Sequence, residues 1–233
     1  MAREREIKIR LKDISLDEFV NRVEKSGFKL ESIITQTDIY FDRRDWYLYD
    51  NLAALRLRKV NDKDDSVSFK KLFYLPNRTD KHFIEEIETR FPPEKEKMDE
   101  IIQRLRLKGK VDLRNGDTIS EYFRMNGYFD EQKMSKIRKV YINGYDEIVI
   151  DDVDRVGLII EIECREGEPI DIANKLLTDR EWVRDLEGTS YIWLRNVKGL
   201  NRHLKHLKCF ETDPTWNVWD NERDFYQSIQ SSS

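Results

Sequence analysis

The chain has 233 residues, 39% hydrophobic and 38% charged, with 42 Lys and Arg against 46 Asp and Glu for a formal net charge of -4. That balance excludes a basic nucleic-acid module on bulk charge, and the charged share stands well above the usual quarter of a globular chain. No apolar run approaches the roughly 18 residues that a membrane span needs. The N-terminus, Met1-Ala2-Arg3-Glu4-Arg5-Glu6, has no apolar h-region, so a secretory signal is not expected and the expected location is cytoplasmic. Two cysteines, Cys164 and Cys209, are too few for a disulfide framework or a cysteine metal site. Three histidines, His82, His203 and His206, leave little room for a Ser-His-Asp triad or a His-rich zinc site.

Period-two alternation marks the strands. The first runs from Glu4 to Lys12, with charged even positions and apolar odd ones from Ile7 onward. Ser15-Leu16-Asp17-Glu18 then reads as a capping box, opening a helix with Phe19, Val23 and Phe28 on its apolar stripe. Thr37 to Phe41 is a short aromatic strand, followed by strands at Leu55 to Arg58 and Val67 to Lys70. Ile84 to Arg90 carries Glu86 and Glu88 in phase. Pro92-Pro93 opens a helix with Met98, Ile101, Ile102 and Leu105 inside, and residues 117–128 predict another. Lys136 to Tyr141 and Tyr145 to Asp151 flank a turn signal at Asn143-Gly144. Leu158 to Cys164 places Glu161 and Glu163 on one face. Residues 169–187 read as a helix with Ile172, Leu176 and Leu177 inside, and a shorter helix is expected at 189–197. The tail, 199–233, reads as an appendage with a frayed end.

Any one of these strands resembles an ordinary solvent-facing antiparallel strand. Together they carry seven acids and at least six bases in phase, opposite Ile, Leu, Val and Phe. Helices with apolar stripes must cover the apolar face, so the charged face points the other way. The expected architecture is α+β: an eight-stranded antiparallel closed β-barrel with helices packed outside and charges within. Bases in such an interior suit a polyanion, and clustered carboxylates suit hard cations such as Mg²⁺ or Mn²⁺.

Glu4-Arg5-Glu6-Ile7-Lys8 is an ExExK motif, followed in order by Thr37-Asp38-Ile39-Tyr40-Phe41-Asp42, Leu55-Arg56-Leu57-Arg58 and Phe69-Lys70-Lys71. Glu86-Ile87-Glu88, Lys136-Ile137-Arg138, Ile150-Asp151, Glu161-Ile162-Glu163 and Gly188-Thr189-Ser190-Tyr191 complete the series. This order resembles the CYTH superfamily, the triphosphate tunnel metalloenzymes. The superfamily includes class IV adenylate cyclases, thiamine triphosphatases and inorganic tripolyphosphatases. The resemblance covers roughly residues 1–198 and implies a tunnel domain there, with 199–233 as a C-terminal extension. It implies that Glu4, Glu6, Asp151, Glu161 and Glu163 hold Mg²⁺ or Mn²⁺. Lys8, Arg56, Arg58, Lys70, Lys136 and Arg138 would clamp phosphate, and Glu88, Asp151 and Lys136 would serve the chemistry.

The implied activity is a metal-dependent triphosphatase acting on tripolyphosphate or on a nucleoside or thiamine triphosphate. The alternative is a class IV adenylate cyclase forming cyclic AMP and pyrophosphate. A polyphosphate sensor and a structural barrel are further readings. The implied partner is a small-molecule triphosphate, with no membrane, nucleic acid only as a 5'-triphosphate end, and a homodimer by analogy with family members. Lys70 is favoured over Lys71 for the charged face because it is in phase with Ser68. Glu85 reads as solvent-facing, Asp152 is ambiguous beside Asp151, and Arg10 and Lys12 extend the first strand toward a rim. Arg195 and Lys198 are either a further base of the cavity or surface residues. His203 and His206 are spaced i, i+3 and could share a helix face, though a metal site there is disfavoured, and Trp216 and Trp219 read as packing residues more than as a ligand cage. The stretch 108–133 is longer than a minimal member needs and reads as an insertion that lids the cavity or meets a partner.

Overall fold

The computed structural model describes residues 5–75 and 78–185. Its elements in chain order are β1 (Arg5–Leu11), α1 (Leu16–Lys25), β2 (Lys29–Asp42), α2 (Tyr47–Asp50), β3 (Ala53–Val60), β4 (Lys63–Leu75) and β5 (Arg78–Arg90). There follow α3 (Lys95–Leu105), α4 (Gly116–Met125), β6 (Phe129–Asn143), β7 (Asp146–Val153), β8 (Gly157–Cys164), α5 (Pro169–Leu176) and β9 (Trp182–Asp185). Hydrogen bonding orders the strands β5-β4-β3-β2-β6-β7-β8-β1-β9. Pairings β1–β8, β1–β9, β4–β5, β6–β7 and β7–β8 are all antiparallel.

The α+β antiparallel class is therefore as expected, but the closed eight-stranded barrel is not what this order builds. Among the described residues there are nine strands, and β5 and β9 end the order. The reason is local. Strand β1 gives one edge to β8 and the other to β9, a strand lying inside the predicted helix 169–187. That helix stops at Leu176, and Leu177 is already extended at φ -135° and ψ 147°.

The chain divides into two compact units. The first comprises the described residues 5–37, 60–63 and 134–185. Its apolar face is a ladder across three strands: Ile7 lies opposite Ile162, which lies opposite Ile148, and Ile9 opposite Ile160, opposite Ile150. Phe19 and Val23 of α1 and Ala173 and Leu176 of α5 cover this ladder and share one buried core with it. Each Ile buried there contributes about 1.5–3 kcal/mol. Helix α1 begins where the capping signal predicts, with the Glu18 amide donating to Ser15 Oγ at 3.2 Å. The β6–β7 hairpin turns one residue later than Asn143-Gly144. Asn143 and Asp146 still pair, leaving Gly144 and Tyr145 as the loop, with Gly144 at φ +64°.

The second unit comprises residues 38–59, 64–75 and 78–133. Leu55 and Leu57 of β3, Val67 and Phe69 of β4 and Ile87 of β5 share one core with Met98 and Ile101 of α3 and with Ile119 and Phe123 of α4. Phe41 meets Phe123 edge-on with ring centroids 5.2 Å apart. The segment 108–133, read as an insertion, thus supplies α4 to the core. Helix α2 had no sequence signal. It forms because the Asp42 carboxylate, 6% exposed, accepts from the amides of Arg43, Leu48 and Tyr49 at 2.7, 2.8 and 2.9 Å. Burial pushes the Asp42 carboxyl up from its ordinary range, and those three amides oppose the shift. The predicted helix 189–197, the boundary at 198/199 and the tail, with Arg195, Lys198, His203, His206, Trp216 and Trp219, lie outside the described residues.

One ion pair locks α1 to the segment between α5 and β9. Arg22 donates to Glu181 through Nη1 and Nη2 at 2.9 and 3.0 Å, and to the Leu176 carbonyl at 3.1 Å. The Arg22 hydrogen bonds and the Thr178 amide hold the Glu181 carboxyl down at about 2. A depressed folded pKa stabilises above the unfolded value and ceases to as pH falls through the folded one. Glu181→Gln is therefore expected to flatten the loss of stability between roughly pH 5 and pH 2, measured by urea denaturation across that range.

Candidate functional site

In the first unit the residues that alternate with the Ile ladder form a charged face. Register sets Glu6 opposite Glu163 and Lys8 opposite Glu161 across β1 and β8, and Arg138 opposite Asp151 across β6 and β7. Asp151 is fully buried; Lys136 and Glu161 are 7% and 8% exposed. These acids meet bases. Lys136 Nζ donates to Asp151 Oδ2 at 2.5 Å. Arg138 forks onto Asp151, Nε to Oδ1 and Nη2 to Oδ2, both at 2.7 Å, and Nη2 also reaches Glu161 Oε2 at 2.9 Å. Lys8 stands between Glu161, 3.2 Å away, and Glu6, to which it donates.

The energetic consequence follows from depth. Burial opposes the charge of Glu161, but Lys8, Arg138 and Lys136 outweigh it and hold the carboxyl well below the ordinary range. Burial likewise opposes the Lys8 charge, and Glu161 and Glu6 outweigh it, raising the ammonium pKa above its ordinary value. Glu163, half-buried, occupies the register position between Glu6 and Glu147. Glu147 was not foreseen, because it opens a strand whose charged phase becomes clear only at Asp151.

The second unit has its own charged face. Ser68 pairs with Glu88 and Lys70 with Glu86 across β4 and β5. Arg56 Nε donates to Ser68 Oγ at 3.1 Å and Nη2 to Glu88 Oε1 at 3.3 Å, with Glu86 at 3.7 Å. Ser66 Oγ donates to Glu88 Oε1 at 2.9 Å, and Lys70 Nζ lies 2.8 Å from Glu86 Oε2. Arg58 forks onto Asp38, Nε to Oδ1 at 2.7 Å and Nη2 to Oδ2 at 3.0 Å. The phenol of Tyr40 is pushed up by burial and by Asp38, against the lowering pull of Arg56 and Arg58.

All the expected site residues but Glu4 have a place among the described residues. Glu6, Lys8, Lys136, Arg138, Asp151, Glu161 and Glu163 share the first unit's charged face; Arg56, Arg58, Lys70 and Glu88 share the second's. Glu4 lies outside the described residues. Asp152 is exposed, which resolves its ambiguity with Asp151. Lys70 is on the charged face, but Lys71 is the more buried of the two, 5% exposed and in phase with the apolar Phe69. Glu85 pairs with Arg104 of α3 instead of facing water alone. Two residues of the Thr37–Asp42 motif have no role assigned from the sequence: Asp42, and Asp38, an acid only 1% exposed between Thr37 and Ile39. Asp38 shares a phase with Tyr40, but nothing in the sequence foretells its burial.

Mg²⁺ and Mn²⁺ favour all-oxygen ligands, and Glu6, Glu161 and Glu163 on two paired strands supply that chemistry. Glu6 and Glu161 already converge on one cationic centre, the Lys8 ammonium. The donor set fits a hard cation in that sense. Among the described residues no three acids stand grouped as a formed metal site.

Residues 2–189 match the CYTH domain, and the chain belongs to that family. A protein of Methanocaldococcus jannaschii, provisionally named an adenylate cyclase, is 30% identical over 158 residues, covering 68% of this chain and 75% of that one. A Hippeastrum protein, provisionally named an adenylyl cyclase and described as having a dominant triphosphatase activity, superposes with a TM-score of 0.53 at 18% identity, covering 83% of this chain and 95% of that one. A Pyrococcus horikoshii structure does so with 0.55 at 19% identity, covering 82% and 99%. No helix among the described residues is long and apolar enough to cross a membrane.

Asp151 is expected to be structurally demanding. Asp151→Asn leaves Lys136 and Arg138 without their shared carboxylate, and removing one partner of a buried ion pair costs about 3–5 kcal/mol. The melting temperature should fall by more than for Asp152→Asn, an exposed neighbour, when both are followed by circular dichroism.

Proposed function

We propose that this protein is a divalent-metal-dependent phosphohydrolase of small-molecule triphosphates, inorganic tripolyphosphate or a nucleoside or thiamine triphosphate. One observation carries the reading: each unit keeps buried bases, answered by carboxylates, on the sheet face opposite its helices. Such groups are a poor way to gain stability, and their chemistry suits phosphate oxygens and a hard cation. Lys8, Lys136 and Arg138 in the first unit and Arg56, Arg58 and Lys70 in the second are the phosphate ligands. Arginine suits this work because its planar fork meets phosphate bidentately.

Glu6, Asp151, Glu161 and Glu163, with Glu4, would hold Mg²⁺ or Mn²⁺. The ion would neutralise phosphate charge and lower the pKa of a bound water. In hydrolysis a water oxygen bonds to the terminal phosphorus as the bridging P–O bond breaks. The diphosphate part of the substrate departs with the bridging oxygen, orthophosphate forms on the attacking water's oxygen, and the water's second proton passes to solvent or to a carboxylate. Glu88 and Asp151 are the carboxylates assigned to orienting water, and Lys136 to the charge gathered on the phosphate. Positioning and charge neutralisation are the main demands of phosphoryl transfer, so no histidine is required. The reading takes the protein as cytoplasmic.

The second reading is a class IV adenylate cyclase, favoured by the name given to the Methanocaldococcus relative. The same bases would hold ATP while the ribose 3'-hydroxyl attacks the α-phosphorus and pyrophosphate leaves. The test is ion-exchange product analysis with ATP and with tripolyphosphate, each with Mg²⁺, Mn²⁺ or EDTA. Orthophosphate that disappears with EDTA supports the triphosphatase, and cyclic AMP with pyrophosphate supports the cyclase. Glu161→Gln should lower metal-dependent turnover at least a hundredfold, about 2.7 kcal/mol of barrier. Full activity in that variant would remove Glu161 from the site.

A further inference from the structure

We infer that Asp38 is a positioning residue, which turns the Arg58 guanidinium so that its terminal N–H edge serves phosphoryl oxygens of a polyphosphate. The inference rests on the phosphate-binding role proposed for Arg58. It begins with burial. Asp38 is 1% exposed and lies on β2 within the second unit. A carboxylate at that depth is stable only when paired and hydrogen-bonded. Both of its oxygens are used on Arg58, at 2.7 and 3.0 Å.

The edge matters. Asp38 takes Nε and one proton of Nη2, which leaves the other Nη2 proton and both protons of Nη1. Among the described residues Nη1 of Arg58 has no acceptor. The side chain keeps 18% of its surface exposed, against 9% for Arg56. A fork held at one end and open at the other is pre-organised for a second oxyanion.

Arg56, two residues earlier on the same face, is engaged differently. Its donors meet Ser68, Glu88 and Glu86, and Nη1 lies 3.8 Å from Asp38. Asp38 therefore also stands against both like charges and reduces their repulsion. The two arginines of β3 then have unequal roles. Arg58 presents an open edge, while Arg56 is braced by carboxylates that a phosphate must displace.

The test is calorimetric titration of tripolyphosphate, without added metal, into the full chain and its variants, with thermal melting of each. Asp38→Glu and Arg58→Lys both keep the buried charge pair and both spoil the fork. Each should weaken tripolyphosphate about tenfold, the scale of one charge-assisted hydrogen bond. The double variant Asp38→Glu/Arg58→Lys should bind no more weakly than the worse single. A lower melting temperature with unchanged tripolyphosphate affinity in Asp38→Glu would make Asp38 purely structural and overturn the inference. So would losses that multiply in the double variant. Should the Asp38 variants not fold, Arg58→Lys decides alone: affinity equal to wild type shows that no fork is used and overturns the inference. If wild-type protein takes up no tripolyphosphate, the functional reading itself fails and the inference with it. A failure confined to the variants leaves that reading standing.

Discussion

An ionised carboxylate without exposed surface survives in a folded protein only beside its counter-charge, and Asp151 is such a group. Lys136 and Arg138 close on it from the neighbouring strand, and Arg138 carries the pairing on to Glu161, which Lys8 also holds. Much of the first unit follows from this chain of contacts. It requires the strands to hold one register, because a slip of one residue would bring the charges to the helices and the isoleucines to the charged face. The Ile7–Ile162–Ile148 ladder enforces the same register from the other side. Packing and ion pairing thus constrain the sheet jointly.

The second unit solves the same problem with different groups. Arg56 and Arg58 are neutralised by Asp38, Glu86 and Glu88, and Ser66 and Ser68 complete the hydrogen bonds. Helices α3 and α4 cover the opposite face. Asp151 and Glu161 in the first unit and Asp38, Glu86 and Glu88 in the second each meet a base, so their charges are answered within the sheet. A buried network of this kind seldom gains stability over an apolar replacement of equal volume. Its chemistry is what recommends it: charges already desolvated and oriented can exchange internal partners for a ligand's at little further reorganisation.

The alternating strands were legible because period two is a property of the backbone and not of context. Glu161 and Glu163 share a face wherever their strand is placed, and so do Arg56 and Arg58. The capping signal at Ser15 was legible for the same reason. Residues 169–187 misled because Ile172, Leu176 and Leu177 carry helical spacing, while nothing local announces that Trp182 to Asp185 will pair with β1. Helix α2 was invisible because it depends on Asp42, whose acceptor role exists only once the chain has folded around it.

The sequence by itself determined the strand pattern, the charged and apolar faces, the family and the set of bases and acids that could meet phosphate and metal. Each of these rests on local periodicity or on residue identity in order. Tertiary structure alone decided which charges pair, how deep they lie and how the strands are ordered. Lys71 is more buried than Lys70, Glu85 turns to Arg104, and Asp38 takes one edge of Arg58. Pairing and burial depend on residues distant in the chain, and no local pattern encodes the side chain that will arrive from another strand.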